Sequence, residues 1–169
     1  AELAAWLEAP AVVALSSWTT ACELALRWFG VGPGDEVIVP AVTYAATANI
    51  VLHCGAEPVF VDIDPATGVV RATDVARAMT PRTKAVMPVD LAGWPVDYDA
   101  IGKVLAEFED FRPATPQQEK LGRPLFLADA AHSFGARWQG RPVATQANIT
   151  GFSFHAVKNL TTAEGGALA

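Results

Sequence analysis

The chain has 169 residues, 51% apolar and 18% charged, with 12 Lys or Arg against 18 Asp or Glu for a formal charge of −6; this is the composition of one ordinary globular domain and excludes a disordered chain. An acidic chain without a basic cluster cannot neutralise a run of phosphates, so nucleic acid is set aside as a partner. No apolar run reaches bilayer-spanning length and the opening AELAAWLEAP lacks a basic n-region, so the expectation is a cytoplasmic protein with no membrane partner.

Apolar runs of strand length alternate with helix-period segments, which predicts an α/β fold with a mostly parallel sheet flanked by helices. A helix is expected over Thr20–Phe29, with Ala21, Leu24, Ala25 and Trp28 on one face and Gly30 as its stop. A strand over Glu36–Pro40, a helix over Tyr44–His53 and a buried strand over Pro58–Asp64 follow. Next come a short helix at Asp74–Met79, a strand at Ala85–Val89 and a helix over Tyr98–Phe108. The segment Glu109–Arg123, with Pro113, Pro116, Gln117, Gln118 and Gly122, is expected to be an exposed loop or insertion. A strand at Leu125–Asp129, a hairpin at Gln139-Gly140 and a strand at Asn148–Phe154 complete the pattern, with no internal repeat. Cys22 and Cys54, in no metal-ligand or redox spacing, are expected to be small buried hydrophobes. A first residue other than Met and an apolar run beginning at Gly165 give the expectation of a fragment.

Ligands of open α/β sheets bind outside the carboxyl ends of the strands, and polar residues stand at several such ends. The turn Ser16-Ser17-Trp18-Thr19-Thr20-Ala21 precedes a helix, where free N–H groups and the helix dipole suit a phosphate; a plain N-cap accounts for the same residues. Asp129 ends an apolar strand, where a carboxylate needs a positive partner or several donors. His132 follows three residues later and is close to Asp129 if the chain turns. Lys158 follows the apolar Phe152–Val157 run, and a desolvated lysine is a nucleophile, although a snorkelling surface lysine fits too. Gly165-Gly166 implies a tight turn or a close approach of backbone.

Taken together, a phosphate turn, a buried acid, a lysine and an aromatic at a helix start (Tyr44) are the parts needed to hold pyridoxal 5'-phosphate (PLP). No G-x-G-x-x-G opens a helix after the first strand, which argues against a dinucleotide enzyme.

Five segments, in order, carry a resemblance: Ser16–Ala21, Pro40–Thr47 (PAVTYAAT), Gly55–Asp64 (GAEPVFVDID), Asp129–His132 (DAAH) and Phe152–Gly166 (FSFHAVKNLTTAEGG). The sequence resembles the DegT/DnrJ/EryC1/StrS family of PLP-dependent sugar aminotransferases, of fold type I. Within that family it looks most like the branch that makes 4-amino-4-deoxy-arabinose on a UDP-sugar. The resemblance implies that residues 1–169 are part of the PLP-binding large domain, with the C-terminal small domain absent. It implies that Lys158 holds the cofactor's aldehyde and moves protons, that Asp129 pairs with the pyridinium nitrogen, and that His132 sits beside the ring. Tyr44 would stack on the ring, and Thr19, Thr20 and Ser153 would hold the phosphate. The implied partners are an amino-acid donor, commonly glutamate, a nucleotide-linked keto-sugar and a second copy in a homodimer. Two rivals are a sugar dehydratase, which replaces the lysine, and a non-catalytic binder of PLP or sugar nucleotide. Three departures stand out: Trp18 where relatives have a small residue, Asp90 where many have His, and a longer Glu109–Arg123 stretch.

Overall fold

The computed structural model describes residues 1–169. The first half contains α1 (Glu2–Trp6), β1 (Val13–Leu15), α2 (Trp18–Phe29), β2 (Glu36–Pro40), α3 (Ala46–His53), β3 (Glu57–Val61), α4 (Ala72–Ala78) and β4 (Thr83–Val86). The second contains α5 (Tyr98–Ala106), α6 (Pro116–Leu121), β5 (Leu125–Asp129), β6 (Arg137–Trp138), β7 (Arg141–Pro142), β8 (Ile149–Ser153) and β9 (Gly166–Leu168). Seven strands form one sheet in the order β1-β9-β8-β5-β4-β2-β3, and β6 and β7 form a separate hairpin. Strands β8, β5, β4, β2 and β3 pair in parallel, while β9 runs antiparallel between β8 and β1. No helix is long and apolar enough to cross a membrane.

The central strands are continuous apolar runs because helices cover both faces. In β2, Val37 and Val39 face one layer and Ile38 the other; in β5, Leu125 and Leu127 face the first and Phe126 and Ala128 the second. The first layer is α2 and α3, through Cys22, Leu26, Phe29, Ile50 and Val51. The second contains Val75, Tyr98, Ile101 and Leu105 from α4 and α5. Each large side chain fully buried this way contributes about 1.5–3 kcal/mol of transfer free energy. Cys22 and Cys54 are free and buried, as expected.

Four expectations need correction. Helix α2 buries Trp18, Ala21, Cys22, Ala25, Leu26 and Phe29, whereas Leu24 and Trp28, expected on the inner face, are 48% and 55% exposed. The alanines belong to both stripes; the stripe through Trp18 and Cys22 wins because it meets Gly151 of β8, where a Cβ would collide with Cys22 Sγ and lie 2.9 Å from Trp18 Nε1. Strand β3 is the sheet edge, so Phe60 is exposed rather than enclosed. Elements α1, β1 and β9 were not foreseen, being too short to show a period.

The fourth correction concerns Glu109–Arg123, which contains helix α6 rather than only a loop. Thr115 caps it, Pro116 occupies its first turn, and Gly122 ends it in the left-handed region at φ 69°. The polar content that suggested exposure has an inward task. Phe29 ends α2 with a carbonyl that no helical N–H can satisfy. It accepts from Gln118 Nε2 at 2.9 Å and from Thr115 Oγ1 at 3.1 Å, while Gln118 Oε1 accepts from Ala114 N at 2.9 Å. Gln118 is fully buried.

Gln118→Leu should therefore cost about 1–3 kcal/mol, because it keeps the volume but removes the buried Nε2 donor of the α2 carbonyl cap and the acceptor of Ala114 N. Urea unfolding measures this; a loss below about 0.5 kcal/mol, the usual range for surface changes, would show that water replaces the glutamine.

Candidate active site

At the carboxyl ends of β2, β5 and β8 a cleft of about 380 Å³ opens. Because β1 and β8 are both antiparallel to β9, the carboxyl end of β1 reaches the same edge and delivers the turn that starts α2.

Asp129, the last residue of β5, is the floor of the cleft and is buried. Its Oδ2 accepts from Thr47 Oγ1 of α3 at 3.2 Å and its Oδ1 from Ala131 N at 3.1 Å. Thr47 is itself hydrogen-bonded to Thr43 through the two hydroxyls, 2.8 Å apart. Burial pushes the Asp129 carboxyl up to about 7, against the pull of these two donors; the negative charge of Asp90 adds to the rise and the positive charge of Lys158 opposes it. A carboxyl in this state is matched to a cationic or protonatable partner arriving from the open side.

The N-terminus of α2 forms one wall. Ser17 Oγ accepts from Thr20 N at 3.1 Å and Thr20 Oγ1 accepts from Ser17 N at 3.2 Å, a reciprocal capping box. The remaining N–H groups of the first turn cannot be satisfied within the helix and, with the dipole, suit an anion. Gly166 of β9 lies against this turn so closely that a Cβ there would strike the Ser17 carbonyl and Trp18 N. Trp18 is 6% exposed and packs with Cys22 beneath the turn, its Nε1 without a hydrogen-bond partner.

Lys158 lies in the turn after β8, half-buried, with no ion pair, and lines the cleft together with Ser153 at the strand end. Its charge reaches both Asp129 and His132. His132 lines the same cleft, and burial first, then Lys158, hold its imidazole below the usual range. Tyr44, 80% exposed, overhangs the opening from the loop before α3.

Six of the seven residues singled out from the sequence, Thr19, Tyr44, Asp129, His132, Ser153 and Lys158, line this one cleft. Thr20 does not; its hydroxyl is committed to the capping box and it faces solvent. His132 makes no hydrogen bond to Asp129; its Nδ1 instead accepts from Ala92 N at 3.2 Å. Sequence reading missed Thr43 and Thr47, although their i, i+4 spacing next to a candidate aromatic was visible. The close backbone approach expected at Gly165-Gly166 is present at both positions: a Cβ on Gly165 would lie 2.5 Å from Thr162 Oγ1.

The residues fit PLP. An anion-ready helix start, a buried carboxyl without its own cation and an unpaired primary amine surround one cleft, and these answer its phosphate, its pyridine nitrogen and its aldehyde.

The comparisons with known proteins agree with this arrangement. The model of the DegT/DnrJ/EryC1/StrS aminotransferase family matches residues 1–169. The 3-amino-5-hydroxybenzoate synthase of Amycolatopsis mediterranei (strain S699) is 44% identical over 167 residues, 99% of this chain and 39% of that protein. Among solved structures, a Streptococcus pneumoniae protein described as a sugar aminotransferase, Spr1654, is 43% identical with a TM-score of 0.97 in its apo, PLP and PMP forms. That match covers 99% of this chain and, in the apo form, 42% of the other. A structure of 3-amino-5-hydroxybenzoic acid synthase, also 43% identical, gives a TM-score of 0.85 over 99% of this chain and 40% of that one. The chain thus spans about two fifths of the length of the relatives it matches. With a family match along its whole length and a cleft built to the same chemical needs, the chain belongs to the DegT/DnrJ/EryC1/StrS aminotransferase family.

Proposed function

We propose that residues 1–169 are the cofactor-binding part of the large domain of a PLP-dependent aminotransferase that moves an amino group from an amino acid, commonly glutamate, to the keto group of a nucleotide-linked sugar. The protein would act as a homodimer in the cytoplasm. The observation that carries this reading is a buried, cation-free Asp129 in the same cleft as the unpaired Lys158.

When bound, PLP supplies an electron sink for the carbanion formed at the substrate carbon. Asp129 would hold the pyridine nitrogen protonated, an electrostatic task suited to a buried carboxyl. Lys158 would hold the aldehyde of the cofactor through its amine, and as a free amine would serve as the base that moves the substrate's proton. Thr19 and Ser153 would hold the phosphate through their hydroxyls and Tyr44 would lie against the ring, with Thr20 acting indirectly by fixing the helix start. Lys158 disfavours a dehydratase, and the inward-packed Trp18 removes the one feature that favoured a silent binder. A second acceptor class, a keto-carbocycle, draws support from the 44% identity to 3-amino-5-hydroxybenzoate synthase.

The deciding experiment uses the PLP-loaded full-length protein. Glutamate should remove the cofactor's visible absorbance and a nucleotide-linked keto-sugar should restore it. Restoration by a keto-carbocycle alone would select the second acceptor class, and no loss with any amino donor would overturn amino transfer.

Borohydride reduction of the loaded protein followed by peptide mapping should place the pyridoxyl group on Lys158. Label on another lysine would remove its assigned role.

Asp129→Asn should lower turnover by about 100-fold or more, the scale of losing one preorganised electrostatic group, while the near-isosteric side chain keeps the packing. The same variant carries a pH signature in the cofactor-free protein. Asp129 is neutral below about 4 in both unfolded and folded chains, and in the fold alone up to about 7. Its stability contribution is therefore full below about 4 and is lost as the pH rises through about 7. Asn has no such loss, so the melting temperature of the variant should gain on the parent between these limits and hold its lead above them. A constant difference from pH 4 to 8 would mean that the carboxylate stays ionised.

A further inference from the structure

Asp90, in the turn after β4, is 1% exposed. Its Oδ1 accepts from Val96 N at 2.9 Å, and its Oδ2 accepts from Tyr98 OH at 2.9 Å and from Ser133 Oγ at 2.6 Å. Its N–H donates to the Asp129 carbonyl at 3.0 Å. Asp90 is thus tied by backbone to the start, and by side chain to the end, of the turn that carries His132.

The residues after Asp90 complete the arrangement. Ala92 and Gly93 both lie in the left-handed region, at φ 53° and 84°, and Ala92 is a residue that rarely goes there. This conformation presents Ala92 N–H to His132 Nδ1 at 3.2 Å. Gly93 lies against the His132 carbonyl, where a Cβ would come within 3.0 Å. An N–H can donate only to an unprotonated ring nitrogen, so Nδ1 carries the lone pair and Nε2 carries the proton of the neutral ring. None of these contacts involves a group assigned above to the cofactor's phosphate or aldehyde.

We propose that Asp90 is a positioning residue: by fastening the Leu91–Gly93 turn to the Ala130–Ser133 turn, it fixes His132 as its Nε2–H tautomer and so gives the cleft one defined hydrogen-bond donor for a ligand oxygen. The ligand in question rests on the PLP reading above; the tautomer does not. In Asp90→Asn an NH2 group replaces one acceptor oxygen, so either Val96 N–H or the two hydroxyl donors lose their present acceptor. The clamp loosens and Ala92 N–H leaves Nδ1.

The test is long-range proton–nitrogen correlation spectroscopy of the histidine rings in the cofactor-free full-length protein, with His132 assigned by its disappearance in His132→Gln. The wild type should show Nδ1 unprotonated and Nε2 protonated. Asp90→Asn and Ser133→Ala should show a mixture of tautomers. If the Nε2–H population is halved, the apparent Kd for PLP, read by fluorescence titration, should rise about two-fold, because only that fraction is competent. Should Asp90→Asn fail to fold, Ser133→Ala, which cuts only the tie between the two turns, decides the matter. A wild type protonated on Nδ1, or a folded Ser133→Ala protein with the wild-type tautomer, would overturn the proposal. Failure of the wild type to take up PLP despite a fixed Nε2–H tautomer would overturn the cofactor reading and support the clamp.

Discussion

A carboxyl enclosed between a parallel sheet and a helix, with neutral donors but no cation, is the constraint around which this chain is arranged. Asp129 can be buried there only because Thr47 and Ala131 supply hydrogen bonds, and those two partners come from different parts of the chain. Helix α3 must run close to the end of β5 to bring Thr47, and the chain after β5 must turn back to bring the Ala131 N–H. Both demands shape the cleft before any ligand enters it. Even so, burial pushes the carboxyl up to about 7, so part of its desolvation cost is unmet by the protein. A cationic ring nitrogen is the kind of partner that offsets it, which links folding energetics to cofactor choice.

The N-terminus of α2 resolves a conflict between capping and binding. Ser17 and Thr20 satisfy each other and leave the earlier N–H groups of the turn available. A helix start that used all its donors internally could not hold an anion, and one that used none would fray. Gly166 presses on this turn from β9, and Gly151 admits Trp18 and Cys22 beneath it, so two positions without side chains fix where the helix begins. The unpartnered indole nitrogen of Trp18 is a cost of this packing, about 1–3 kcal/mol for a buried donor without an acceptor.

Much of this was legible in the sequence, and the reason is physical. Central parallel strands buried on both faces appear as largely apolar runs, so β2, β5 and β8 announce themselves, and β5 and β8 end in residues, Asp129 and Ser153, that line the cleft. Left-handed turns also show: Gln139-Gly140, at φ 48° and 80°, makes the expected hairpin between β6 and β7. What stayed hidden depends on distant contacts. Gln118 looks like a solvated polar residue until the carbonyl of Phe29 appears beside it, 89 positions away. Thr20 looks like a ligand donor until its hydroxyl is seen to close a cap. Asp90 carried no readable role at all, because its partners Tyr98 and Ser133 lie on opposite sides of helix α6 in the sequence.

The placement of β9 has a consequence for synthesis. Strand β1 has no neighbour other than β9, which pairs Val13 with Leu168 and Leu15 with Gly166. The turn opening α2 therefore precedes the strand that braces it by more than 140 residues. At translation rates of about 5–20 residues per second that gap is on the order of ten seconds, during which β1 has no partner strand. Long-range closure of this kind is slow and leaves sheet edges open to other chains in the meantime. Gly166, which lets β9 seat against the start of α2, thus closes an interval in which the nascent chain is exposed to misassembly.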